Sequence, residues 1–283
     1  QLSSNGCHGE MVGWARALGA WGESDGDSNA AKLDRNLSGF MLGTDKQLDD
    51  QWRVGMAAGY TRSDLDAHDR RSDATVESYH LAAYLNSQFD ALAVRLGAAY
   101  SWHSIDTKRH VVAGAYSDEL KAKYKAGTAQ VFGEVGYTFQ AAGVALEPFA
   151  GLAYVNYDSD NGREKGGAGR LKASAEQDVT FSTVGLRMGK AFTLDNGTTV
   201  TPRGSLGWRH AFGDTTPDAD LQFIDGGAGF STQGVPIAKD AAVVEAGFDV
   251  SVGKAGKLGL GYSGQLSSDN RDHAITASFS LGF

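Results

Sequence analysis

ITASFSLGF, residues 275–283, closes the chain and decides its fold. Ile275, Ala277, Phe279, Leu281 and Phe283 are apolar and take every odd position, while Thr276, Ser278, Ser280 and Gly282 take every even one. Side chains of an extended chain alternate between faces, so this is a strand with one greasy face and one small or polar face. It ends on an aromatic residue at the last position, where a water-exposed terminus has little use for a large apolar ring. The greasy face needs an apolar neighbour.

The same parity recurs upstream. In a third strand Val54, Met56, Ala58 and Tyr60 alternate with Arg53, Gly55, Ala57, Gly59 and Thr61. A fifth sets Leu92, Val94, Leu96, Ala98, Tyr100 and Trp102 against Arg95, Gly97, Ala99, Ser101 and His103. A sixth opposes Val131, Val135, Tyr137 and Phe139 to Gln130, Glu134 and Thr138, and an eighth opposes Val184, Leu186 and Met188 to Thr183, Gly185 and Arg187. A ninth sets Val200, Leu206, Trp208 and Phe212 against Arg203, Ser205, Gly207 and Arg209. A tenth runs Val244, Ala246, Phe248, Val250 and Val252 opposite Glu245, Gly247, Asp249 and Ser251. An eleventh pairs Leu258, Leu260 and Tyr262 with Gly259, Gly261, Ser263 and Gln265. No charge falls on the apolar face of these segments. That separates a bilayer-spanning strand, in which a lipid-facing Arg or Lys costs about 2–4 kcal/mol, from the outer face of a soluble sandwich.

Composition agrees. The mean hydropathy of −0.30 is that of a water-soluble chain, and no run approaches the roughly 18 apolar residues of a membrane helix. A β-barrel tolerates both, because only alternate residues meet lipid. The 38 glycines against 4 prolines suit strands whose backbones must bend or be closely approached. A net charge of −8 argues against a nucleic-acid partner. The lone Cys7 has no internal partner and fits an envelope protein that avoids mispairing. The chain begins at Gln1, without Met or a signal sequence, and reads as a processed or excised piece of something longer.

Connections alternate in length. Short turns are expected near Lys46–Gln51, Ser87–Asp90, Gln140–Gly143, Asp195–Gly197 and Gly253–Lys257. Longer polar connections are expected near Gly22–Asp34, Arg62–Asp73, Ile105–Lys121, Tyr157–Leu171, Gly213–Gln233 and Leu266–Arg271. Together they join twelve strands and leave both termini on the short-turn side, which in bacterial outer membranes is periplasmic. Asn196-Gly197 reads as a type I′ hairpin turn. Gln1–Gly9 reads as a polar linker or residual plug, and residues 10–283 as the barrel, whose first strand spans about Glu10–Trp21.

Six fragments in order resemble the translocator, or β-domain, of a monomeric autotransporter of type V secretion. They are Trp14-Ala15-Arg16 with Gly19, GFMLGTD from Gly39 to Asp45, VGMAAGYTRS from Val54 to Ser63, LEPFAGLAY from Leu146 to Tyr154, TPRGSLGWRHAFGD from Thr201 to Asp214, and the terminal strand. The similarity runs from about Trp14 to Phe283, and its details are similar to barrels carrying subtilisin-like protease or esterase passengers. The resemblance implies an all-β, 12-stranded antiparallel barrel in the Gram-negative outer membrane, without cofactor or metal, that mediates secretion of its own N-terminal passenger. It implies as partners the passenger polypeptide, periplasmic chaperones, outer-membrane lipid and the barrel-assembly machinery, whose signal maps onto Phe279, Leu281 and Phe283. It also implies a monomer. Many members hold a helical linker in the pore; Gln1–Gly9 is too short and too rich in Ser, Asn and Gly to form it. Either that helix lies upstream or this barrel uses an extended plug.

By parity, Arg16, Arg53, Arg95, Glu134, Glu147, Arg187, Arg203, Arg209, Glu245 and Asp249 line the lumen. They either hydrate the pore and hold a linker, or pair with one another to brace the wall. Two rivals stand beside export: a barrel hydrolase (protease or phospholipase), for which His103 and His110 are the only hints, and a diffusion porin. Other motifs carry no chemistry. Gly259-Leu-Gly-Tyr-Ser-Gly264 matches a dinucleotide-binding pattern but lies inside a strand, where no helix N-terminus follows. The loop acids Asp25 and Asp27 with Asn29, and Asp158 and Asp160 with Asn161, lack the glycine and the bidentate glutamate of a calcium loop. The histidines show no zinc spacing, and Asn5-Gly6, although prone to cyclise, does not match a self-cleavage motif.

Overall fold

The computed structural model describes residues 11–24, 32–67, 72–113, 116–160, 162–165, 170–213, 215–216, 218–223, 230–233 and 237–283. The linker Gln1–Gly9, with Cys7 and Asn5-Gly6, lies outside the described residues, as do Asp25, Asp27, Asn29, His68 and Asn161. Twelve long strands form a hydrogen-bonded antiparallel ring. They are β1 (Met11–Ser24), β2 (Leu33–Gln47), β3 (Trp52–Ala67), β4 (Ser72–Phe89), β5 (Leu92–Ala113) and β6 (Tyr116–Tyr137). The ring continues through β7 (Val144–Ser159), β8 (Leu171–Gly189), β9 (Thr199–Phe212), β10 (Asp240–Val252), β11 (Gly256–Leu266) and β12 (Asn270–Gly282). No helix of the described residues is long and apolar enough to cross a membrane, which says nothing about a barrel.

The ring closes because β1 and β12 pair from Val12↔Gly282 to Ser24↔Asn270. Pairing reaches the very last residue: the Phe283 amide donates to the Met11 carbonyl at 2.9 Å, and the Met11 amide to the Phe283 carbonyl at 3.1 Å. In hydrocarbon an unpaired backbone group has no water to turn to, so a sheet that spans the membrane must close on itself.

The apolar parity set faces outward. Leu152 and Leu206 are 62% and 60% exposed, whereas the inward Ala57 and Ala93 are 5% and 3% exposed. That is the inverse of a soluble core. Phe40, Tyr60 and Tyr79 stand in a row on β2, β3 and β4 with centroids 6.3 and 5.3 Å apart, and Tyr100 and Trp102 follow on β5 at 4.8 Å. These rings form part of an aromatic girdle at the outer interface. Leu206 lies inside it, so Leu206→Arg is expected to lower barrel stability by about 2–4 kcal/mol in urea titrations from lipid vesicles. Arginine at the neighbouring inward Ser205 should cost far less.

The structure differs from the sequence reading in three places. First, β1 runs to Ser24 rather than Trp21. Second, several expected outer loops are largely strand: β5 and β6 stay paired through Ile105↔Tyr124 to Ala113↔Tyr116. Beyond the hydrocarbon the outward residues are no longer held apolar, so Asp106, Lys108, Lys121 and Lys123 replace the apolar half of the alternation and the segment reads as polar loop. Its inward face holds Ile105 and Leu120 buried, beside the ion pair of Arg109 with Glu164 at 2.7 Å. The connection after β9 likewise holds two short paired strands, Asp218–Phe223 and Phe230–Gln233. Third, in the Asn196-Gly197 turn only Gly197 has positive φ, 81°. The Gly197 amide donates to the Leu194 carbonyl at 2.9 Å and the Thr198 amide to Asn196 Oδ1 at 3.0 Å. This is the three-residue hairpin with a left-handed glycine, not type I′. Positive φ at both central positions occurs instead at Ala142 (50°) and Gly143 (75°).

The barrel lumen as candidate functional site

Strand pleating alone decides what the lumen contains. On every strand the small, polar and charged parity set points inward, and cross-strand register decides which of these residues meet. Arg95 on β5 opposes Glu134 on β6, and Arg187 on β8 opposes Glu147 on β7. All four side chains join. Arg95 donates to Glu134 at 2.8 Å and to Glu147 at 2.9 Å. Arg187 donates twice to Glu134, each at 2.7 Å, and to Glu147 at 3.0 Å. Thr138 adds a hydroxyl to Glu147 at 3.0 Å, and the Arg187 guanidinium lies 3.8 Å above the Phe149 ring. Two cations and two anions thus cancel across four adjacent strands.

A second cluster crosses β1 to β4. Arg53 pairs with Asp45 and donates to Gln47 at 3.1 Å. Tyr84 donates its hydroxyl to the same Asp45 at 2.8 Å and accepts the Trp14 indole N–H at 2.8 Å. Sequence parity had found Arg53 but neither Asp45 nor Tyr84. The available signal was the parity of Asp45 itself, which it shares with Gly39 and Gly43 on the face opposite Phe40 and Leu42. A third, looser pair joins Arg203 to Asp249 at 3.3 Å, beside Ser205, which donates to Glu245 at 3.1 Å. Arg16 and Arg209 face the lumen over aromatic rings, Trp14 at 5.9 Å and Phe181 at 4.7 Å. Neither has a carboxylate partner within 4.0 Å among the described residues.

Glycines keep this interior open. Trp14, Tyr84, Phe132 and Phe149 each lie against the glycine directly opposite on the next strand, namely Gly43, Gly55, Gly97 and Gly185. A Cβ at Gly185 would sit 2.8 Å from Phe149 Cζ, and at the other three it would press into the ring still harder. The rings therefore lie flat on the wall instead of standing into the pore. Gly97→Val is expected to cost about 1–3 kcal/mol by overpacking and to lower the urea midpoint of the refolded barrel, whereas Gly19→Ala, with no atom within 4 Å, should not.

The hints of hydrolase chemistry come apart. His103 points inward, where its two nitrogens meet Ser78 at 2.7 Å and Thr128 at 2.8 Å. His110 sits on the outward face beside Glu119 at 3.1 Å. The two are on opposite faces of one strand and about 24 Å apart along it. The glycine run Gly259–Gly264 lies within β11, as its parity required. No group of three or more His, Cys, Asp or Glu arranged to hold a metal occurs among the described residues.

Comparison with known proteins places this barrel. The family model described as autotransporter beta-domain matches residues 13–263. The chain is 42% identical over 271 residues to an extracellular serine protease of Serratia marcescens, covering 95% of this chain and 26% of that protein. It is 22% identical over 280 residues to the esterase EstA of Pseudomonas aeruginosa, covering 95% and 43%. It therefore spans only about a quarter of the length of the Serratia relative. Among solved structures, the translocator domain of autotransporter NalP from Neisseria meningitidis superposes with a TM-score of 0.73 at 16% identity, covering 96% of this chain and 88% of that one. The beta domain of the Bordetella autotransporter BrkA gives 0.71 at 20% identity, with 96% and 99% covered. With the closed ring, its outward apolar belt and this family match together, the chain belongs to the autotransporter beta-domain family and is an outer-membrane β-barrel of the translocator type, a transport module rather than an enzyme.

Proposed function

We propose that this barrel carries a passenger polypeptide, encoded ahead of it in the same protein, through its lumen to the cell surface. The observation that carries the reading is the charge balance of the lumen. The strongest charges are spent on one another at 2.7–3.0 Å, and between them lie Gly, Ala, Ser and Thr. Such a wall offers a moving chain hydrogen bonds without a one-sign trap. A barrel of this strand number lies between eight-stranded barrels, which side chains fill, and sixteen-stranded porins, which hold an open channel. One helix, about 10–12 Å across, or an extended hairpin fits such a bore; a folded domain does not.

Gln1–Gly9 serves as the linker that enters at the periplasmic rim, where Met11 pairs with Phe283. The activities named for the Serratia and Pseudomonas relatives would reside in their remaining length. Phe279, Leu281 and Phe283 act as the outward row read by the barrel-assembly machinery, with periplasmic chaperones delivering the chain and the finished barrel working as a monomer. The self-paired lumen residues Arg53, Arg95, Glu134, Glu147, Arg187, Arg203 and Asp249 act as wall braces. Arg16, Arg209 and Glu245 remain to contact the passing segment.

Site-directed cross-linking tests export through the lumen. In a Cys7→Ser background, cysteine placed at the inward Ser263 or Ser278 should form a disulfide with a cysteine in a stalled passenger. A passenger that reaches the surface while neither position ever cross-links to it would overturn the reading.

A further inference from the structure

Above the outer aromatic girdle the outward wall divides into sectors of opposite charge. On β2, β3 and β4 the outward charged residues at this height are Asp34, Asp64, Asp66, Asp73 and Glu77 around, among the described residues, a single cation, Arg62, with register pairs such as Asp34↔Asp66 and Asp66↔Asp73 setting the acids side by side. The next two strands reverse the sign. Lys108 on β5 opposes Lys121 on β6, and Lys121 in turn opposes Lys165 on the short strand Gly162–Lys165. Lys123 and Lys125 continue down β6 towards Trp102, whose partner is Gly127. Arg163 completes the group, and all six cations are exposed.

Of the six cations, two are paired with carboxylates. Asp106 engages Lys123 at 3.2 Å and Glu119 engages Lys121 at 2.5 Å. Lys108, Lys125, Arg163 and Lys165 have no carboxylate within 4.0 Å among the described residues. Asp158 and Glu176, paired across β7 and β8, bound the sector beside the girdle. A like-charge row such as Lys108–Lys121–Lys165 disfavours the bare sheet, so its presence in a chain of net charge −8 asks for an anionic partner.

Position identifies that partner. Outward residues recur about every 7 Å along a strand, so Lys125 and Lys123 stand one and two steps above the interfacial rings. Lys108, Lys121 and Lys165 stand a further step out. This is the layer of lipid headgroups and their attached sugars, and lysines just above a hydrocarbon boundary bind anionic headgroups. We propose that the outward face of β5, β6 and the strand Gly162–Lys165 binds the phosphorylated glycolipid headgroups of the outer leaflet, fixing these lipids on one side of the barrel.

The full 283-residue chain in nanodiscs of zwitterionic phospholipid is titrated with bisphosphorylated lipid A, or with the same lipid stripped of phosphate. Lys108→Gln, Lys121→Gln, Lys123→Gln and Lys125→Gln in combination are expected to weaken binding of the phosphorylated lipid at least about tenfold. Lys190→Gln with Lys254→Gln, at the periplasmic end, should change it less than about twofold. Folding of each variant is read from heat-modifiable gel migration. Should the fourfold variant misfold, Lys123→Gln with Lys125→Gln carries the test, with a loss of at least about threefold expected. Unchanged binding in the variants or equal binding of the stripped lipid overturns the proposal, as does lysine-dependent pairing of two barrels without lipid.

Discussion

Ala277→Pro is expected to prevent the barrel from closing. Ala277 sits mid-strand on β12, opposite Ala17 of β1 on one side and Leu260 of β11 on the other. Proline removes a ladder donor and brings a ring into a position that sheets reserve for their edges. The carbonyl left without its donor faces hydrocarbon, at a cost of roughly 2–7 kcal/mol. No water is present to soften that loss. Few barrels hold stability to spare on this scale, so the compact, fast-migrating band on unheated gels should vanish, while Ala277→Val should keep it. A folded Ala277→Pro barrel with an unshifted urea midpoint would show that the seam contributes little.

The second large effect is expected at Arg187. Arg187→Met removes three hydrogen bonds to Glu134 and Glu147 and leaves two carboxylates sharing the single guanidinium of Arg95. Hydrogen bonds to charged groups contribute about 1.5–3 kcal/mol each. The four side chains are 12–35% exposed to lumen water, so screening reduces the total to about 2–3 kcal/mol. The diagnostic is non-additivity. Glu134→Gln in the Arg187→Met background should recover part of the loss, because it removes the orphaned charge, and the double-mutant cycle should return a coupling above about 0.5 kcal/mol. Glu134→Gln alone should leave single-channel gating unaltered; changed gating would mark the cluster as a holder of the linker rather than a wall brace.

The membrane-facing half of the fold was legible because hydrocarbon enforces it. Once residues such as Leu96, Leu206 and Phe279 must be outward, their neighbours are inward, and parity alone puts Arg95, Glu134 and Arg187 on the lumen face; register then brings them together. Legibility failed where lipid stops dictating. The paired hairpin above Trp102 reads as loop because, beyond the hydrocarbon, its outward face carries charges and has no apolar row to reveal the alternation. It failed again at Asn196-Gly197, where several turn geometries satisfy the same two residues and the Asn196 side chain selects one by capping Thr198. The bracing partner Asp45 was not legible because register, which parity does not supply, sets it opposite Gly55, one inward pair along from Arg53, within reach of its guanidinium.

The handshake between Met11 and Phe283 has a temporal consequence. A completed cylinder presents no lateral margin within the membrane, so no strand of a neighbour can extend its sheet. Before closure the outermost margins of β1 and β12 are both bare, and each is a template for any strand that passes. The hazardous moment in the life of this molecule is therefore its construction, and a factor that escorts it safely must occupy one of those two margins and let go only when the other arrives.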